Sequence, residues 1–251
     1  MFGMFSAKCP VDQITKDWIE DRLHWLGKQF GYDVFLRRAV ILPLAEFFPD
    51  RFDKSVESVQ AMYERICRYM DIPEPLPELN FFQGTTPFLV NGQGHAVAAM
   101  AGLYDNDGER VIIHLKLSEI EDPLPLVGIL AHELAHHRLL GEDRLYGDEF
   151  DHELLTDLTV VFHGLGVFLA NAPRSWLSDF SQWPDGTPGK PEYMTAPMYG
   201  YAMAHAAWLR GERKTVLARH LRSDASCCFK QSLRYLEKTG DSTFNPKNTR
   251  H

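Results

Sequence analysis

Residues 122–141 constrain the chain more than any other segment. The apolar run Leu126-Val127-Gly128-Ile129-Leu130-Ala131 leads directly into His132-Glu133-Leu134-Ala135-His136. Asp122-Pro123 reads as an N-cap followed by a first helical residue, and Gly141 stands where a helix-ending glycine belongs. The pattern predicts a helix over 124–140, and its apolar character predicts that the helix is buried. Burying His, Glu and His on one helix without a ligand would strand polar groups in the core. Residues four apart share a helix face, with Cβ atoms about 5–6 Å apart. Two imidazoles at that spacing can meet one Zn²⁺ at about 2.0–2.1 Å each. Glu133 falls beside such an ion, where its carboxylate can take a proton from water whose pKa the metal has lowered.

A tetrahedral catalytic zinc site needs a third protein ligand. A metzincin continuation would require a glycine at position 139 and a histidine at 142; the chain has Leu139 and Glu142. Further on comes Asp151-His152-Glu153-Leu154-Leu155-Thr156-Asp157, within a second apolar helix expected over about 148–170. Glu153 and Asp157 again share one face. One of them can bind zinc while the other accepts the ring N–H of a ligand histidine. His152 points about 100° away from Glu153 on a helix, so the two do not serve together. Glu149 lies one turn earlier and suits a supporting role. Glu142 and Asp143 are expected in solvent, and His163 in the core.

HExxH followed by ExxxD on a second helix resembles the gluzincin metallopeptidases, the group that includes thermolysin. The resemblance covers roughly residues 96–170 and includes the strand pair before the first helix. It implies that His132, His136 and Glu153 bind zinc, that Glu133 is the general base and that Asp157 orients a ligand histidine. It further implies an oxyanion donor, a Tyr or His after the third ligand; Tyr201 and His205, on one face of a later helix, stand in that order. The outer thirds look like parts of a bacterial zincin-like family.

The remaining chain is read more coarsely. Helices are expected from Asp12 or Thr15 to Lys28, from Ser55 to Met70, from Met198 to Arg210 and from Asp224 to Lys238, the last closed by Gly240. Leu36–Leu42 suits a short strand. Ala96–Tyr104 and Arg110–Leu117 suit a hairpin around Asp105-Asn106-Asp107-Gly108. Three prolines within 72–77 mark a boundary between a helical region, 1–75, and a zincin-like domain, 76–251. The expected class is α+β and mainly helical: a small sheet, two metal-bearing helices and flanking helices at both ends.

A net charge of −8 disfavours nucleic acid as a partner. The longest apolar stretch, Leu158–Ala172, contains His163, two glycines and Asn171 and is too short to span a bilayer. Four cysteines in 251 residues make neither a disulfide framework nor a thiolate site, so reduced, mostly buried thiols and a cytoplasmic location are expected. The leading expectation is a zinc-dependent hydrolase acting on peptide or protein. The alternative is a zinc-binding regulatory or interaction protein of the same fold, which would have no need of the Glu133 base.

Overall fold

The computed structural model describes residues 7–83, 89–90, 96–97, 102–106, 108, 110–146, 149–172, 181–213 and 215–245. The protein is mixed α/β and mainly helical, with a small sheet. Its chain forms two compact units, one from Met1–Leu42 with Phe150–His251 and the other from Pro43–Glu149. No described helix is long and apolar enough to cross a membrane.

In the first unit, α1 (Gln13–Phe30) starts where the Asp12 carboxylate accepts the Thr15 N–H at 2.8 Å. Gly31, at φ +93°, ends it. The residues expected as a strand after it do not pair. The chain first makes a short helix, α2 (Tyr32–Arg37), and then runs extended, with Ile41 N–H donating to the Gly164 carbonyl at 2.9 Å. Its neighbour there is a loop, so no ladder can form.

The long helix expected over 148–170 is two helices, α5 (His152–Phe162) and α6 (Gly166–Asn171). Gly164 breaks it. It adopts φ +87°, and a Cβ there would lie 2.6 Å from the Ala39 carbonyl oxygen, so only glycine fits. α7 (Ala196–Arg210) and α8 (Ser223–Thr239) close against left-handed Gly211 and Gly240. Phe162, Leu165, Tyr199, Tyr201, Phe229 and Phe244 form much of this unit's buried interior.

In the second unit, α3 (Val56–Tyr69) is capped by Ser55 and buries Val59, Met62, Tyr63 and Ile66. The strands are β1 (Glu78–Phe82), β2 (Leu89–Val90), β3 (Ala96–Val97), β4 (Gly102–Asn106) and β5 (Val111–Lys116). β5 lies between β1, parallel to it, and β4, antiparallel to it; β2 and β3 make a separate antiparallel pair. Of the expected hairpin, residues 98–101, 107 and 109 lie outside the described residues. Its turn is held by Asn106 Oδ1 accepting the Gly108 N–H at 2.9 Å. Ile113 and Leu115 alternate inward on β5 and are fully buried.

α4 (Pro123–His136) then packs against α3 and β4. Asp122 Oδ1 accepts the Leu124 N–H at 3.0 Å, as its N-cap position predicts. The α-helix stops at His136, four residues earlier than expected, and residues His137–Gly141 form a π-helical turn. The wider turn gives the His137 ring room over Gly141, where a Cβ would sit 2.3 Å from its Nδ1.

Candidate metal centre

The last two turns of α4 are dry. His132, Glu133 and His136 are 4%, 5% and 8% exposed, and the intervening Leu134 and Ala135 are fully buried. The two imidazoles converge, Nε2 to Nε2 at 3.1 Å, with ring planes nearly perpendicular. Two nitrogen ligands on one tetrahedral zinc stand about 3.3 Å apart, from the tetrahedral angle and bonds of about 2.0–2.1 Å. The pair therefore fits such an ion with little adjustment.

β4 forms the other wall of this half-site. A Cβ on Gly102 would lie 2.8 Å from Ile129 Cγ2 and 2.9 Å from both Cγ and Oε1 of Glu133. The strand thus approaches the helix at the carboxylate of Glu133, and a side chain at 102 would displace it. Two residues on, Tyr104 faces the same way. Its ring stacks on His136 at 6.3 Å between centroids and lies 6.1 Å from His137. Its hydroxyl accepts from Asn106 Nδ2 at 3.2 Å. Burial raises the Tyr104 phenol above its ordinary pKa. The phenol's oxygen and His137 Nδ1 both crowd Gly141, where a Cβ would stand 2.6 Å from the former.

Motif reading identified none of Gly102, Tyr104, His137 and Gly141 as shaping the site. One signal was present: Gly-x-Tyr on a strand places both residues on one face, and this strand precedes the motif helix.

Glu153 and Asp157 lie on α5 of the first unit. Glu153, on the first turn, has a side chain 27% exposed, and His152 Nδ1 lies 3.8 Å from its Oε1. Asp157 is fully buried, and its Oδ2 accepts the Met194 N–H at 3.0 Å. His163 packs edge-on against Phe30 and Phe162 in the interior, as expected. Glu142 is not a solvated carboxylate. It accepts from Arg138 at 2.5 Å and Arg144 at 2.9 Å, and only 15% of its side chain is exposed. The Arg138 pairing is an i,i+4 contact.

Tyr201 and His205, the two oxyanion candidates, are fully buried on α7. The Tyr201 hydroxyl donates to Glu20 Oε1 at 2.7 Å. Glu20 Oε2 accepts the Thr243 N–H and hydroxyl at 2.6 and 2.7 Å, and Lys16 Nζ lies 3.3 Å from Oε1. His205 Nε2 meets Ser242 Oγ at 2.9 Å and is 3.6 Å from Glu20 Oε1. Ser242 and Glu20 both approach the same ring nitrogen, so this group is no Ser-His-acid relay, which uses opposite nitrogens. It ties α1, α7 and the segment after α8 together. The Tyr201 phenol is fully buried and donates its proton to Glu20.

The four cysteines are free: Cys67 is buried, Cys9 and Cys228 are half-buried and Cys227 is exposed. The expectation of mostly buried thiols holds only for Cys67, whose pKa burial pushes up to about 12. No protein-family profile, curated protein or solved structure matches the chain.

Proposed function

We propose that this protein is a zinc-dependent hydrolase of the gluzincin type that cleaves peptide bonds. In this reading His132, His136 and Glu153 hold one zinc ion, and Glu133 handles the proton. The observation that carries it is the buried, converging pair of imidazoles 3.1 Å apart with the Glu133 carboxylate between them in sequence and dry beside them. Glu153 is taken as the third ligand from the HExxH…ExxxD pattern. Two histidines and one carboxylate are a donor set that suits zinc in a catalytic site, where a fourth position stays open.

Bound zinc would act as a Lewis acid, acidifying water and polarising a carbonyl oxygen. The protein's own groups do the rest. Glu133 accepts the proton of the attacking water at a carboxylate oxygen and delivers it to the leaving amine. Tyr104 holds the His136 ring in its rotamer by stacking on it. The free edge of β4, unpaired among the described residues, can align an extended peptide by main-chain hydrogen bonds. Asp157 supports the ligand shell from the buried face of α5.

The test has two parts. Purified wild-type protein should carry about one zinc per chain, and His132→Ala should lose it. Glu133→Gln, which keeps the shape but not the proton acceptor, should retain zinc and lose at least about 100-fold in peptide hydrolysis. A wild-type protein that binds zinc yet cleaves no member of a peptide library would point instead to a regulatory zinc protein.

A further inference from the structure

The start of α5 is built in an unusual way. Asp151 occupies its N-cap position, where an aspartate ordinarily accepts an N–H of the first turn. Here the side chain makes no such bond. Both of its oxygens turn to α1 instead. Oδ2 accepts from Trp18 Nε1 and from Arg22 Nε, each at 2.6 Å, and Oδ1 accepts from Arg22 Nη2 at 2.7 Å. Asp151 is 1% exposed. The Arg22 guanidinium is itself held between two rings, 6.0 Å from the Trp25 centroid and 5.9 Å from that of Phe150. Trp18 packs against Trp183 at 6.2 Å.

A buried ion pair is a weak way to gain stability, because desolvating both charges offsets most of the attraction. Giving up a helix cap makes it weaker still. What such an arrangement does well is fix geometry. A bidentate guanidinium sets both the position and the orientation of the carboxylate plane, and an indole N–H adds a third direction. The residue so fixed is two positions before Glu153.

The geometry points to Arg22 and Trp18 as positioning residues for Glu153: through Asp151 they set where α5 begins and therefore where the Glu153 carboxylate projects. This rests on the reading of Glu153 as a metal ligand. It gives the N-terminal helix a part in the metal site, although none of its residues donates to the ion. Outer partners that orient a ligand change metal affinity by about 10–100-fold when removed.

The experiment compares zinc affinity, by chelator competition, with thermal stability of the metal-free full chain. Arg22→Lys keeps the charge but loses the two-point contact; it should weaken zinc about tenfold or more. Trp18→Phe keeps a ring and loses one N–H; it should weaken zinc by less, and it carries the test if Arg22→Lys fails to fold. Glu20→Gln, on the same helix but in the Tyr201–Thr243 network, should lower the melting temperature and leave zinc affinity unchanged. Unchanged affinity in Arg22→Lys and Trp18→Phe, with Glu153→Ala losing zinc, would overturn the positioning role and leave the ligand assignment standing. Equal loss in Glu20→Gln and Arg22→Lys would overturn it too, as general destabilisation. Wild-type affinity in Glu153→Ala would overturn the ligand assignment and the positioning role together.

Discussion

Gly102→Ala is the most discriminating small change available near the motif helix. Replacing glycine with alanine in a strand ordinarily stabilises a protein by about 0.4–1 kcal/mol, since the unfolded chain loses freedom. Gly102 is not in the left-handed region, so its backbone would accept alanine without strain. The space would not. The added methyl would stand 2.8 Å from Ile129 Cγ2 and 2.9 Å from Glu133 Cγ and Oε1. Carbon atoms pack best at about 3.5–4.0 Å, so each contact is short by more than half an ångström. Ile129 is branched at Cβ and resists turning, which leaves the Glu133 side chain to move.

Overpacking of this kind destabilises by about 1–3 kcal/mol. For a chain of this size that is a fall in melting temperature of roughly 2–12 °C. Zinc binding should survive, because neither imidazole is touched, while peptide hydrolysis should fall about 100-fold through displacement of the base. Calorimetry of Gly102→Ala in wild-type and Glu133→Ala backgrounds isolates the cause. Removing Glu133 beyond Cβ removes two of the three contacts, so the alanine should destabilise less there, with a coupling of at least about 0.5 kcal/mol. Additive effects, or a Gly102→Ala protein more stable than wild type, would refute the close approach of β4 to Glu133.

Further outcomes follow from the same contacts. Glu153→Ala should nearly abolish zinc binding, while Asp157→Ala should weaken it by about 10–100-fold; chelator competition on both variants decides, and the reverse order would make Asp157 the ligand. Asp157→Ala should also lose about 1–3 kcal/mol of stability by stranding the buried Met194 N–H, measurable in metal-free protein. Burial acts to raise the Glu20 carboxyl, but His205, Tyr201 and Thr243 outweigh it and hold it well below the ordinary 4.5. A carboxyl lowered in the folded state stabilises fully above its unfolded pKa and loses that contribution as pH falls below it. Thermal scans from about pH 5 to 3 should therefore fall less steeply in Glu20→Gln than in wild type; parallel slopes would exclude Glu20 as a source of acid sensitivity.

What the sequence revealed and what it hid divide along one line. Features set by neighbours a few residues away were readable. Asp12, Ser55 and Asp122 cap the helices their positions suggest, Gly240 ends the last one, and Arg110–Leu117 contains a strand within a residue of its expected limits. His132 and His136 converge because i,i+4 spacing on a helix leaves them little choice. Features set by distant partners were not readable. Leu36–Leu42 has the composition of a strand, but what lies beside it is the Gly164 loop, far along the chain. The helix over 148–170 breaks because Ala39 presses on Gly164, which no local pattern announces. Tyr201 and His205 do share a face, yet which face turns inward depends on Glu20 in α1.

The same line runs through the candidate site. An HExxH helix specifies which side chains converge but not what holds them in place. Holding them falls to residues of ordinary type in unremarkable positions. Gly102 is small enough to let the strand touch Glu133, Tyr104 is flat enough to stack on the His136 ring, and Gly141 is bare enough to let His137 fold over it. None carries chemistry, so none stands out in a motif search. Each is legible only as a constraint: an absent side chain where one would collide, or a ring where another ring needs a wall. Gly102 and Tyr104 alternate on one strand face and Gly141 ends the following helical turn, so a strand–helix pair fixes all three contacts at once. A glycine and an aromatic two residues apart on the strand before an HExxH helix are therefore the positions to test first for how closely the strand can approach the base.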